Sequence, residues 1–250
     1  HLAMGLKALA LAKSGRTKAA QEYIFACLKP YPLSYPLHCV RWMIEPGDEA
    51  RENLLRVTGR RGINGSLLAG WLLSIGQKQA AKEMLEVLDC QEALPMLWRA
   101  SLSDDANKRQ WLIAEAERCH PQKVRFPNTL DEVRMLQTLS DSAFARYLLG
   151  CFWYSKRRYE EAVSCWRETL EKSPDYAPAH RLLGVYAWNK QQDAAQALAY
   201  LQRAVELEPE NARFLFELDF LQKSLGTPVN ERLEKLAARK SVVLKRDDLT

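Results

Sequence analysis

Residues 143–174 read AFARYLLGCFWYSKRRYEEAVSCWRETLEKSP. Two apolar stripes at helical spacing flank the polar break Ser155-Lys156-Arg157-Arg158, so the segment predicts two helices joined by a tight turn. Small residues sit at matched places on the two helices, Gly150 on the first and Ala162 on the second, twelve residues apart. Such residues are needed where antiparallel helices cross closely, because larger side chains would force the backbones apart. Pro174 closes the second helix.

The same intervals recur along the chain. Leu183-Gly184, Ala197, Leu201 and Pro209 form the next copy, with Gly150 to Gly184 spanning 34 residues and Pro174 to Pro209 spanning 35. The extra residue is expected to lengthen the loop around Gln191, Gln192 and Asp193. Upstream, Ala8, Ala20 and Pro32 keep the spacing of twelve, and a third copy runs through Leu68-Ala69, Leu72, Gly76, Ala81, Leu85 and Leu88. Between these copies, 35–44 with 48–58 and 92–102 with 104–118 form further pairs, broken at Pro46-Gly47 and Ser103-Asp104, with Asp48 placed as a cap. Residues 120–128 hold two prolines and no periodicity, which marks a break. Thr129-x-x-Glu132 then opens a helix through Leu139 as a capping box.

Composition agrees with stacked helical hairpins. Gly 11 and Pro 11 in 250 residues make up about 9%, against roughly 12% on average. Hydrophobic residues at 47% and charged residues at 27% exclude a disordered or collagen-like chain. No apolar run approaches the roughly 18 residues of a membrane span, and no signal-like segment opens the sequence. The charge of +5 is interleaved: Lys156, Arg157 and Arg158 precede Glu160 and Glu161. The densest basic group is Arg56, Arg60 and Arg61, which could meet a phosphate or acidic partner but fits a solvated helix end better. Cys27, Cys39, Cys90, Cys119, Cys151 and Cys165 show no framework spacing, so free thiols in a reducing, cytoplasmic compartment are expected. The adjacent Cys119-His120 lacks a second ligand pair, and no metal site, cofactor or catalytic constellation is predicted.

Leu149, Gly150, Trp153, Tyr159, Ala162, Trp166 and Pro174 resemble a tetratricopeptide (TPR) repeat; Arg146 departs from the pattern at its first aromatic position. The likeness is specific over 143–209 and extends weakly to 1–32 and 62–90. More narrowly, Phe126-Pro127, Tyr147-Leu148-Leu149-Gly150, Phe216-Glu217-Leu218-Asp219 and Lys245-Arg246-Asp247-Asp248-Leu249 resemble the TPR region of large bacterial proteins that carry a β-rich domain of unknown function in front. The resemblance implies an all-α, right-handed α-solenoid of about 14–15 antiparallel helices. Degenerate pairs would fill 1–120, a break and capped helix 121–140, and well-formed repeats 141–240, with a charged terminal helix that meets water. The tail 241–250, rich in strand formers at Ser241-Val242-Val243-Leu244, is expected to be extended.

In that family the first helix of each pair lines a concave wall. Carried over, the candidates are Phe144, Tyr147, Cys151 and Tyr154, then Arg181, Val185 and Trp188, then Arg213, Phe216 and Phe220. These would form an aromatic groove with two arginines, suited to an apolar peptide or helix bearing an acidic group. Tyr147, Cys151 and Val185 replace the Lys and Asn that chaperone-tail clamps require. The expected function is a non-enzymatic protein-interaction scaffold, whose partner is a protein, a peptide or another domain of the same polypeptide. The alternative, motivated by the narrower resemblance and the strand-like tail, is an accessory helical-repeat region of a larger multidomain bacterial protein, carbohydrate-active or otherwise catalytic. RNA is disfavoured because no regular polar pair recurs per repeat.

Overall fold

A computed structural model describes residues 1–59, 62–119 and 124–244. The described residues are all-helical and fall into two compact units, His1–Leu139 and Ser140–Thr250. Unit 1 contains α1 (Leu2–Lys13), α2 (Thr17–Leu28), α3 (Tyr35–Ile44), α4 (Asp48–Thr58), α5 (Gly62–Ser74), α6 (Lys78–Leu88), α7 (Ala93–Ser101), α8 (Ala106–Glu117) and α9 (Leu130–Thr138). Unit 2 contains α10 (Ala143–Ser155), α11 (Tyr159–Lys172), α12 (Ala177–Tyr186), α13 (Ala194–Leu207), α14 (Ala212–Ser224), α15 (Val229–Ala237) and the single turn α16 (Lys240–Val243). Consecutive helices pack as hairpins, α1 on α2, α3 on α4, α5 on α6 and α7 on α8, then α10 on α11, α12 on α13 and α14 on α15.

The small residues found by spacing are where the hairpins close. Ala8, Ala20, Ala69, Ala81, Ala162 and Ala197 have no exposed surface. A methyl group added at Gly150 would lie 2.5 Å from Trp166 Cδ1 and 3.1 Å from the Ala162 carbonyl. At Gly184 it would meet Leu201 Cγ at 2.9 Å and the Ala197 carbonyl at 3.2 Å. Both values are below ordinary van der Waals contact, so only glycine permits the observed approach. Trp166, fully buried, fills the space that Gly150 leaves.

Caps follow local chemistry. Asp105 accepts hydrogen bonds from the backbone N–H groups of Asn107 and Lys108 and starts α8; Ser142, Asp193 and Asn211 do the same for α10, α13 and α14. Thr129 and Glu132 complete the expected capping box of α9. Asp48 is not a cap: Gly47 holds that place, and Asp48 with Glu49 lies in the first turn of α4, where carboxylates favour the positive end of the helix dipole. Gly15 and Gly76 turn within pairs at φ of 80° and 73°, whereas Arg157 and Gln192 adopt the same left-handed region in unit 2.

Two further expectations are corrected. The residue that lengthens the α12 repeat is absorbed in the helix itself, as a π turn over Ala187–Gln191, rather than in the loop. A π turn accommodates one extra residue without shifting the helix that follows. Residues 241–244 are not extended: Lys240–Val243 form a helical turn, and Val242 is buried against Ala204, Val205, Phe214 and Leu215. Strand propensity loses to that apolar anchor because the described residues offer no sheet edge to pair with. In α15 no residue is buried, and Val229 and Leu233 are exposed beside its charges. The expected segment 245–250 lies outside the described residues.

Replacing Gly150 by alanine is expected to destabilise the chain by about 1–3 kcal/mol through overpacking. A control substitution, Ala199→Ser on the exposed face of α13, stays within about 0.5 kcal/mol. Urea unfolding followed by circular dichroism compares the two.

Candidate interaction site

The first helices of the unit 2 pairs, α10, α12 with its π turn, and α14, carry all the wall residues expected from the sequence. An ion-pair network ties two of these helices side by side. Arg181 on α12 donates from Nε to Glu217 Oε2 at 2.7 Å and from a terminal nitrogen to Oε1 at 2.5 Å. Arg213 on α14 donates to the same carboxylate at 3.1 Å. The Arg181 and Glu217 side chains are 15% and 19% exposed, so the fork-to-fork geometry operates with partial exclusion of water. One carboxylate thus serves two guanidinium groups. Arg181 is committed to holding α12 against α14, and Arg213 is the more exposed cation.

The wall grades from closed to open along the unit. Phe144, 3% exposed, is a core residue and not part of the surface. Its place on the first turn of α10 turns it inward, a direction that the family pattern alone does not specify. Tyr147 packs on Tyr176 with ring centroids 5.3 Å apart, and Tyr154 packs on Trp166 and Tyr159 at 5.5 and 5.2 Å. Burial, then the neighbouring Cys151, raises the Tyr147 phenol far above its usual range. Burial also pushes Cys151 up to about 12. A thiol held protonated this way is a small apolar surface, not a nucleophile. Val185 and Trp188 pack against the cluster of Ala187, Ala197, Leu201 and Leu221, so Trp188 serves mainly to join α12 to the helices that follow.

At the open end, Phe216 and Phe220 are 41% and 52% exposed and stack at 6.3 Å with ring planes 30° apart. Arg213 and Lys223, both exposed, lie three residues before the first ring and three after the second. This helical spacing puts all four on one face of α14. The structure links Arg181 and Arg213 through Glu217, sets Phe216 on the same face of α14 as Arg213, and buries Phe144. Sequence reasoning missed Glu217 as the organiser. Its i, i+4 relation to Arg213 and its separation of 36 residues from Arg181, close to one repeat, were the available signals.

A second concavity of about 490 Å³ lies between α13, α14 and α15. The bidentate pair of Arg232 with Asp219, at 2.9 and 2.8 Å, crosses it and fastens α15 to α14. Of the other sequence candidates, Arg56 donates to Asn53, while Arg60, Arg61 and His120 lie outside the described residues. Cys119 is half-buried, and its thiol donates to the Glu115 carbonyl. Among the described residues no cluster of His, Cys, Asp and Glu is arranged to hold a metal. No helix among them is long and apolar enough to cross a membrane.

No family model matches the chain. Among solved structures, the chain is similar to a double mutant of MamA RS-1, at 16% identity over 81% of this chain and 98% of the other, with a TM-score of 0.40. It is similar to PilW, a type IV pilus biogenesis factor, at 13% identity over 98% of this chain and 94% of the other, with a TM-score of 0.42. It is also similar to YrrB, a TPR protein with an unusual peptide-binding site, at 14% identity over 84% and 87%, with a TM-score of 0.34.

Two outcomes follow from the geometry of the wall. In a double-mutant cycle of Arg181→Gln and Glu217→Gln, urea unfolding should return a coupling of about 1–3 kcal/mol. Burial raises Cys39, Cys151 and Cys165 to about 12, 12 and 11, so each stays protonated at pH 8 while the chain is folded. Iodoacetamide at that pH should spare these three until the chain is unfolded, as read by peptide mass mapping.

Proposed function

We propose that this chain is a non-enzymatic protein-interaction scaffold, and that the open face of α14 is its recognition surface. The observation that carries this reading is the exposed, stacked Phe216–Phe220 pair set between two cations on one helical face. Large exposed aromatics are costly unless they are covered, and aromatic and arginine side chains dominate the energetics of protein interfaces. Arg181, Arg213 and Lys223 are balanced nearby by Glu217, which leaves the face with a positive excess. The fitting partner is a peptide or helix with one or two large apolar side chains flanked by carboxylates.

The reading differs from the sequence expectation in its centre of gravity. Arg181, Tyr147, Tyr154 and Trp188 support the wall, while Arg213, Phe216 and Phe220 meet the partner. Half-buried residues at the α10 end add shape, since they already fill contacts within the unit. Electrostatic attraction sets the rate and register of association, and the rings supply most of the affinity.

Panning a random twelve-residue phage library against the full chain tests this. Enriched peptides should combine Phe, Leu or Trp with neighbouring Asp or Glu. Joint Phe216→Ala and Phe220→Ala substitution should weaken their binding by about tenfold or more. Arg213→Glu should reduce the preference for acidic flanks. Enrichment of basic peptides, or full binding by the double alanine variant, contradicts the assignment. Tight, salt-sensitive binding of mixed RNA in preference to peptides would do so as well.

A further inference from the structure

Unit 1 consists of four hairpins and one odd helix. Within the unit α9 has no hairpin partner; it packs on α5 and α7, the first helices of two successive pairs, and bridges them. This is the place where a groove between first helices is covered. The approach is close: a methyl group at Gly70 of α5 would stand 3.0 Å from Asp131 Cβ and Oδ2 at the start of α9. Val133, Met135, Leu136 and the following Leu139 are buried, so α9 presents an apolar stripe at spacings of three. Glu132, 2% exposed, is satisfied by Arg125 and by the backbone N–H groups of Asn128 and Thr129, all from the segment that leads into α9. Arg109 of α8 donates to the Thr138 carbonyl at 2.7 Å and pins the other end.

The covering is incomplete. Beside α9 a cleft of about 310 Å³ is left open, lined by Leu73, Trp98, Leu102 and Met135, with Asp131 and Arg134 at its rim. The cleft opens to solvent, so it is room beside the buried stripe of α9 and not a void beneath it. An occupant with a larger side chain at this point would gain contacts that α9 does not make.

We infer that the α5–α7 groove is a helix-binding surface and that α9 is its built-in occupant, exchangeable with an external amphipathic helix of the same kind. The partner class follows from what the groove already holds. It is a short helix with an acidic first turn, like Asp131 and Glu132, and apolar residues at spacings of three. Binding of such a helix requires α9 to leave, so the apparent affinity is reduced by the fraction of chains in which α9 is displaced.

The test uses the full chain and a labelled synthetic peptide of residues 124–139. Val133→Asp with Leu136→Asp ejects α9 by placing two charges in the apolar contact. This variant should bind the peptide at least about tenfold more tightly than the unsubstituted chain, in fluorescence anisotropy. Adding Gly70→Leu, which blocks the close approach, should remove that gain. A variant that keeps its helical circular dichroism and binds no better than the unsubstituted chain overturns the proposal, as does a gain that survives Gly70→Leu. Hydrogen exchange on the unsubstituted chain decides the matter independently of the variant's folding. Amides of α9 should exchange at least about tenfold faster than those of α5 and α7, whereas equal protection would make α9 a permanent part of the core.

Discussion

The close crossing of two antiparallel helices over a residue without a side chain is the contact on which unit 2 depends. At Gly150 the backbone of α10 lies against Trp166 and the Ala162 carbonyl of α11, and at Gly184 α12 meets α13 in the same manner. Each crossing fixes the separation within a hairpin, and with it the angle at which the first helix presents its other face. Ala8 with Ala20 and Ala69 with Ala81 hold the same places in unit 1, fully buried.

Once the hairpins are set, the charges on the first helices determine which side chains remain available. Glu217 absorbs Arg181 and shares itself with Arg213, which converts one expected recognition arginine into a strut between α12 and α14. Removing one partner from such a half-buried pair leaves the other charge poorly compensated, so the network is held by both sides. The aromatics divide in a similar way. Tyr147, Tyr154 and Trp188 are drawn into packing, and Phe214 of α14 is buried with Val242, whereas Phe216 and Phe220 keep exposed faces.

Much of the architecture was legible in the sequence because hairpin geometry is local. Twelve residues from Gly150 to Ala162, or from Ala69 to Ala81, span one turn between two helices and need no knowledge of the rest of the chain. The capping box at Thr129 and Glu132 is legible for the same reason. The exposure of wall residues was not, because it depends on contacts between pairs. Tyr147 and Phe216 occupy equivalent first-helix positions, two repeats apart, yet Tyr147 is half-buried and Phe216 is exposed. The π turn at Ala187–Gln191 and the helical turn at Lys240–Val243 also escaped, since each is settled by what a neighbouring helix accepts rather than by propensity. The direction of α9, across α5 and α7, is likewise a tertiary choice; its amphipathic stripe was visible, but not the surface it meets.

A partner that binds the proposed first-helix wall of unit 2, open at α14, is detected by amide chemical-shift mapping of the isotopically labelled full chain, titrated with an acidic peptide carrying one large aromatic residue. The perturbed amides should concentrate on α14 between Arg213 and Ser224 and on the adjoining part of α12. Perturbations confined to α11 and α13, the second helices of the pairs, would contradict it.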